Sequence, residues 1–161
     1  MEYTYVEASY VWLDSDSLDD QLDGWDLTGS FELPMNFFLQ ATVRQQSANA
    51  DVDSYTIGAG WHFGLVPRLD AYGILQYQSV DVSGSASDFT DDGVGAELGL
   101  RFSLTRAIEL NGRFRWSDVE NSDSSGGLGA RYYFGSILSA GANFDQAGND
   151  ELITAGLRFE L

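Results

Sequence analysis

The chain alternates apolar and polar residues with a period of two through almost all of its length, and few folds accommodate that habit. From 54 to 65, Tyr55, Ile57, Ala59, Trp61 and Phe63 interleave with Ser54, Thr56, Gly58, Gly60 and His62. Neighbouring side chains of a strand point to opposite faces, so the pattern describes a strand with two unlike faces. Ten segments carry it: 2 to 13, 24 to 33, 36 to 47, 54 to 65, 69 to 80, 93 to 103, 107 to 118, 126 to 134, 137 to 145 and 151 to 161. No helical periodicity competes. The connections at 34–35, 66–68, 104–106 and 135–136 are tight, and they take turns with polar, mostly longer ones at 14–23, 48–53, 81–92, 119–125 and 146–150. Short turns gathered at one end define an up-and-down meander. The last segment stops on an apolar residue, leaving an edge that must pair with the first segment or invite aggregation. The expectation is an all-β, closed antiparallel up-and-down barrel of ten strands in one domain over 1–161. Eight strands are the alternative, with 137 to 145 the weakest segment.

Alternation does not say which face points inward. A soluble ligand-binding barrel would bury the apolar set, and a transmembrane β-barrel would expose it. Bulky aromatics decide between them by position. Trp12, Trp25, Tyr55, Tyr77, Trp116 and Phe144 stand at the long-connection ends of their segments, and Phe31, Phe37, Trp61, Phe63, Phe102, Phe134 and Phe159 at the tight-turn ends. Small residues such as Ala8, Ala41, Ala59, Ala96 and Ala142 lie between. Two aromatic girdles around an apolar band are the signature of a lipid-facing surface, whereas a soluble core places its largest side chains centrally. Glycines crowd the polar parity, as at Gly58, Gly60, Gly95, Gly99, Gly127, Gly129 and Gly156, where a narrow lumen favours small residues. Six of the eight arginines (Arg44, Arg101, Arg113, Arg115, Arg131, Arg158) share that parity with Glu7, Asp26, Glu32, Glu97 and Glu109. Opposite charges gathered on an inward face read as an ion-pair network in the lumen.

Composition narrows the function classes. The 161 residues carry 25 acidic and 8 basic side chains, a formal net charge of −17, which argues against nucleic acid as a partner. Cysteine is absent, excluding disulfides, thiolate metal sites and a cysteine nucleophile. No run of about 18 apolar residues is present to form a membrane helix, a test that barrel strands escape. The start lacks the basic region and apolar run of a signal peptide, so an exported form is expected to be a mature chain with an added Met.

In this arrangement the chain resembles the small outer-membrane β-barrel proteins of Gram-negative bacteria, the group around the OmpA membrane domain and the OmpX and Ail barrels. The named barrels have eight strands, against ten segments in this chain. The most specific point of likeness is the terminal segment, where Thr154, Gly156, Phe159 and Leu161 look like the signal such proteins present to the barrel-assembly machinery. Leu161 stands where Phe is commonest. The resemblance implies a location in the bacterial outer membrane with both termini periplasmic. It also implies contact with outer-membrane lipid and lipopolysaccharide, and passage through the assembly machinery.

Chemistry-bearing residues are few. The single histidine, His62, has lumen parity and reads as a structural group hydrogen-bonded inside the barrel. The longer connections are acidic, with Asp51 and Asp53, then Asp81, Asp88, Asp91 and Asp92, then Asp118, Glu120 and Asp123, then Asp145, Asp150 and Glu151. Asp14, Asp16, Asp19 and Asp20 form a candidate weak Ca²⁺ or Mg²⁺ site, although their spacing departs from an EF-hand loop and a solvated acidic loop is the simpler reading. No other cofactor is expected. The functional expectation is a non-enzymatic barrel with a largely occluded lumen, serving envelope integrity or docking a protein partner through its loops. The alternative is a small channel for cations or polar solutes.

Overall fold

The computed structural model describes residues 2–14, 22–47, 51–83, 89–119 and 123–161. Ten strands run antiparallel: β1 (Tyr5–Asp14), β2 (Leu22–Glu32), β3 (Phe37–Ser47), β4 (Asp51–Val66), β5 (Leu69–Ser83), β6 (Phe89–Ser103), β7 (Ile108–Ser117), β8 (Asp123–Tyr133), β9 (Leu138–Ala147) and β10 (Asp150–Glu160). Each pairs with its sequence neighbours, and β1 pairs with β10 from Tyr5↔Glu160 to Asp14↔Glu151, closing the barrel. The stretch 137 to 145 becomes a full strand, so the count is ten and the eight-strand alternative falls.

The apolar parity faces outward. Trp12, Trp25, Tyr55, Ile57, Trp61, Leu75, Leu98, Phe114, Leu128 and Phe159 are all exposed, whereas Glu7, Asp26, Glu97, Arg101, Glu109, Arg131 and Asp145 are buried. This inverts the burial of a water-soluble protein and rules out the apolar-inside geometry of a soluble barrel. The tight turns are set by local chemistry. Leu33 N–H bonds to the Phe37 carbonyl at 2.7 Å around Pro34–Asn36, and Trp61 Nε1 donates to the Met35 carbonyl at 3.2 Å. In the turn after β6, Thr105 Oγ1 accepts from the Ala107 and Ile108 N–H groups.

Three features depart from the sequence expectation. First, β4, β5 and β6 have 16, 15 and 15 residues, several more than the about 9 to 11 a tilted strand needs to cross a bilayer. Asp53, Asp81, Asp91 and Asp92 therefore sit on paired strands instead of in loops. Second, the connection 146–150 contracts to a two-residue turn in which Gly148 takes a φ of 60°, a conformation glycine adopts without steric cost. Third, the ladder starts at Tyr5, so residues 2–4 lie outside it, with Tyr3 inside the barrel and only 3% exposed.

Candidate functional site

Closing the sheet brings the inward parity of all ten strands onto one axis, so charges far apart in sequence become neighbours. Arg101 and Glu109 form a bidentate pair, with Nε to Oε1 at 2.9 Å and Nη2 to Oε2 at 3.0 Å. Glu7 receives two arginines, Arg131 Nη2 on Oε1 at 2.7 Å and Arg158 Nε on Oε2 at 2.7 Å. Glu97 accepts Arg115 Nη2 on Oε2 at 2.6 Å and Tyr72 Oη on Oε1 at 2.8 Å. Asp26 accepts Arg44 Nη2 at 3.0 Å. Charge-assisted, partly bidentate bonds of this kind are the geometry in which buried ions offset the cost of leaving water.

Arg113 reaches across β8 to Asp145 on β9, with Nε to Oδ1 at 2.6 Å. In register, Arg113 lies opposite Gly127 and Gly127 opposite Asp145. A Cβ at 127 would collide with Asp145 Oδ1, so the glycine is what lets this pair span a strand. Asp145 was expected among the acidic loop residues and is instead a buried member of the lumen network. Its parity already carried the signal, since Asn143 and Asp145 alternate with outward Phe144.

Glu32 was expected to meet the lumen arginines. It pairs instead with His62, Nε2 to Oε1 at 3.2 Å, because it ends β2 at the tight-turn end, below the arginine layers. His62 itself stacks on Tyr3 with ring centroids 3.9 Å apart and 12° between planes. Tyr3 also packs against Phe38 at 4.9 Å and Tyr72 at 6.3 Å, and the Arg101 guanidinium lies 4.7 Å from its ring centre. Tyr3, Phe38 and Tyr72 share the inward parity of Glu7, Arg44 and Gln76, so alternation gives their face, whereas the meeting of these rings with His62 at one level is decided by the closed barrel.

The outer surface is polarised along the axis. Just past the outward apolar residues of the long-connection end stand Asp14, Asp23, Asp53, Asp81, Asp92, Asp118 and Glu151, all of outward parity. Tyr10 Oη donates to Asp23, and Thr90 Oγ1 donates to Asp81 at 2.7 Å, tying the belt to neighbouring strands. Arg68 and Arg106, the two arginines outside the lumen, are exposed on tight turns at the other end. Of the candidate cation ligands, Asp14 ends β1, whereas Asp16, Asp19 and Asp20 lie outside the described residues. Among the described residues, no three acidic or histidine side chains come together as a metal site. Thr154 is buried and accepts from Asn143 Nδ2 at 3.2 Å, Gly156 lies opposite Ser9, and Phe159 and Leu161 face outward.

A model of the outer membrane protein beta-barrel domain matches residues 2–125, more than half of the chain. The chain belongs to that family. This outer-membrane barrel superimposes on the KdgM porin solved with disordered oligogalacturonate, with a TM-score of 0.59 at 8% identity over 98% of this chain and 99% of that one. The translocator domain of the autotransporter NalP from Neisseria meningitidis gives a TM-score of 0.56 at 13% identity, covering 98% of this chain and 88% of that one. The NanC porin gives 0.50 at 8% identity, covering 98% and 99%. No curated protein matches the sequence. At these identities the likeness is one of fold.

The Arg113–Asp145 bridge sets a test of the lumen network. Arg113→Ala leaves a buried carboxylate without its cation and is expected to cost about 3 kcal/mol of unfolding free energy, the lower part of the range for breaking a buried pair. Gly127→Ala should lower stability by displacing the same carboxylate. The double variant should lose less than the sum of the singles, because both act on one contact. Heat-dependent gel mobility in detergent reads all three, and additive losses would show that the two positions act independently.

Proposed function

We propose that this protein is a non-enzymatic outer-membrane barrel whose lumen is closed at rest, and whose acidic end faces outward to support the envelope or dock a partner. The observation that carries the reading is the continuous set of paired charges across the lumen, sealed at the tight-turn end by the Tyr3, Phe38, His62 and Tyr72 rings. The single imidazole is buried between an aromatic ring and Glu32, which favours a structural role over proton transfer to a substrate. With the tight turns periplasmic, both termini lie on the periplasmic side and the carboxylate belt lies at the depth of the lipopolysaccharide headgroups. Two anionic surfaces repel at that depth unless divalent cations bridge them, so bound Ca²⁺ or Mg²⁺ is part of the reading.

A small channel for cations or polar solutes is the second reading. A polar cavity of about 270 Å³ inside the lumen favours it, as does the likeness in fold to two proteins described as porins.

Planar-bilayer recording separates the two readings. The wild-type barrel is expected to be silent or to flicker rarely, and steady conductance steps would establish the channel. In lipopolysaccharide-containing vesicles, chelating divalent cations should lower the unfolding temperature, and the same treatment in phosphocholine vesicles should not. Equal shifts in both would remove the cation-bridging role. Phe159→Ser together with Leu161→Ser should abolish outer-membrane insertion while export continues, and normal insertion would refute the terminal assembly signal.

A further inference from the structure

The lumen is not filled along its length. The cavity of about 270 Å³ reaches from the long-connection side down to Tyr3, Arg101 and Glu109. A second cavity, of about 430 Å³, lies at the tight-turn end against Glu2, Arg106, Glu109, Tyr133 and Glu160. Glu109 borders both, Tyr3 lines only the first and Glu2 only the second. The partition between them is therefore the segment Glu2–Thr4, with the Arg101–Glu109 pair beside it.

That segment is held differently from everything around it. Ladder pairing starts at Tyr5, opposite Glu160 on one side and Ser30 on the other, so residues 2–4 contribute no rung to the sheet. Four hydrogen bonds strap it down. Arg101 Nη1 donates to the Glu2 carbonyl at 2.9 Å, Ser30 Oγ to the Tyr3 carbonyl at 2.6 Å, Glu32 N–H to Thr4 Oγ1 at 3.0 Å and Leu161 N–H to the Thr4 carbonyl at 3.0 Å. The Tyr3 ring is fixed by stacking on His62, and both carboxylate oxygens of Glu160 beneath are buried with no hydrogen-bond partner among the described residues. Burying unpaired polar atoms costs free energy, and withdrawal of the segment would return it. A closed ten-strand sheet below these straps means that the segment can leave without breaking a strand pair.

We propose that the barrel is a closed ion pore in which Tyr3 is the stopper, and that withdrawal of Glu2–Thr4 joins the two cavities into one path across the membrane. The proposal rests on the reading that the resting lumen is occluded. Small inorganic cations are the permeant class, because the lumen charges are mutually paired while the net charge of −17 enriches cations at the mouth.

The full-length protein in planar bilayers with potassium chloride tests this, with heat-dependent gel mobility confirming that each variant is a folded barrel. Wild type should be silent. Tyr3→Gly should give steady steps with at least a tenfold longer open time, and a salt gradient should move its reversal potential toward that of potassium. His62→Ala, which keeps Tyr3 but removes the ring it stacks on, should give frequent brief openings and decides the matter if Tyr3→Gly does not fold. Silence from folded Tyr3→Gly and folded His62→Ala would overturn the stopper while leaving the occluded barrel intact. Steady steps from wild type would overturn the occluded reading itself.

Discussion

Every backbone N–H and C=O of a chain crossing hydrocarbon must find its partner within the protein, and the rest of this structure depends on that requirement. A sheet meets it only by closing, since an open edge leaves a row of unpaired groups in lipid. The pairing of β1 with β10 removes the edge, with Tyr5 opposite Glu160 and Asp14 opposite Glu151. Closure then forces the two faces apart in character. One must match lipid, hence the exposed band between aromatic girdles, and the other must fill a bore too narrow to stay empty.

The lumen solves the second demand with charge. Three of its pairs are register neighbours, Asp26 with Arg44, Glu97 with Arg115 and Glu7 with Arg158, so the ladder itself delivers them. Others ignore the ladder. Arg131 lies opposite Glu109 in register, yet it bonds to Glu7, and Glu109 bonds to Arg101. Such exchange links β1, β6, β7, β8 and β10 across the bore and makes the network a tie between walls. Its value lies in specificity and rigidity, because the desolvation of so many ions absorbs most of the attraction between them.

Charge is also sorted along the axis. Carboxylates circle the outer surface just past one girdle, while the two arginines outside the lumen sit on the opposite turns. The barrel therefore offers two unlike faces to the two sides of the membrane. The lumen between them is interrupted by a short segment that belongs to neither the sheet nor the charge network. The proposed occlusion, headgroup contact and withdrawable stopper all draw on one geometry: a closed wall, a paired interior, and an end covered by chain outside the ladder.

The period of two determined the strand number, the inward and outward faces and the membrane-facing band, because it reports directly on which side of a pleat each residue occupies. Gly60 and Gly127 were visible as small residues on a crowded face, but not what crowds them, the Phe38 ring and the Asp145 carboxylate. Asp145 carried lumen parity, though its place beside a polar connection masked it. Tertiary structure alone decided that Glu7 serves Arg131, 124 positions away, and that Glu32 goes to His62 instead of an arginine. It alone also gathered Tyr3, Phe38, His62 and Tyr72 at one level of the lumen. Alternation fixes a side chain's face, whereas its partner depends on the shear and diameter of the closed barrel, which no local pattern encodes.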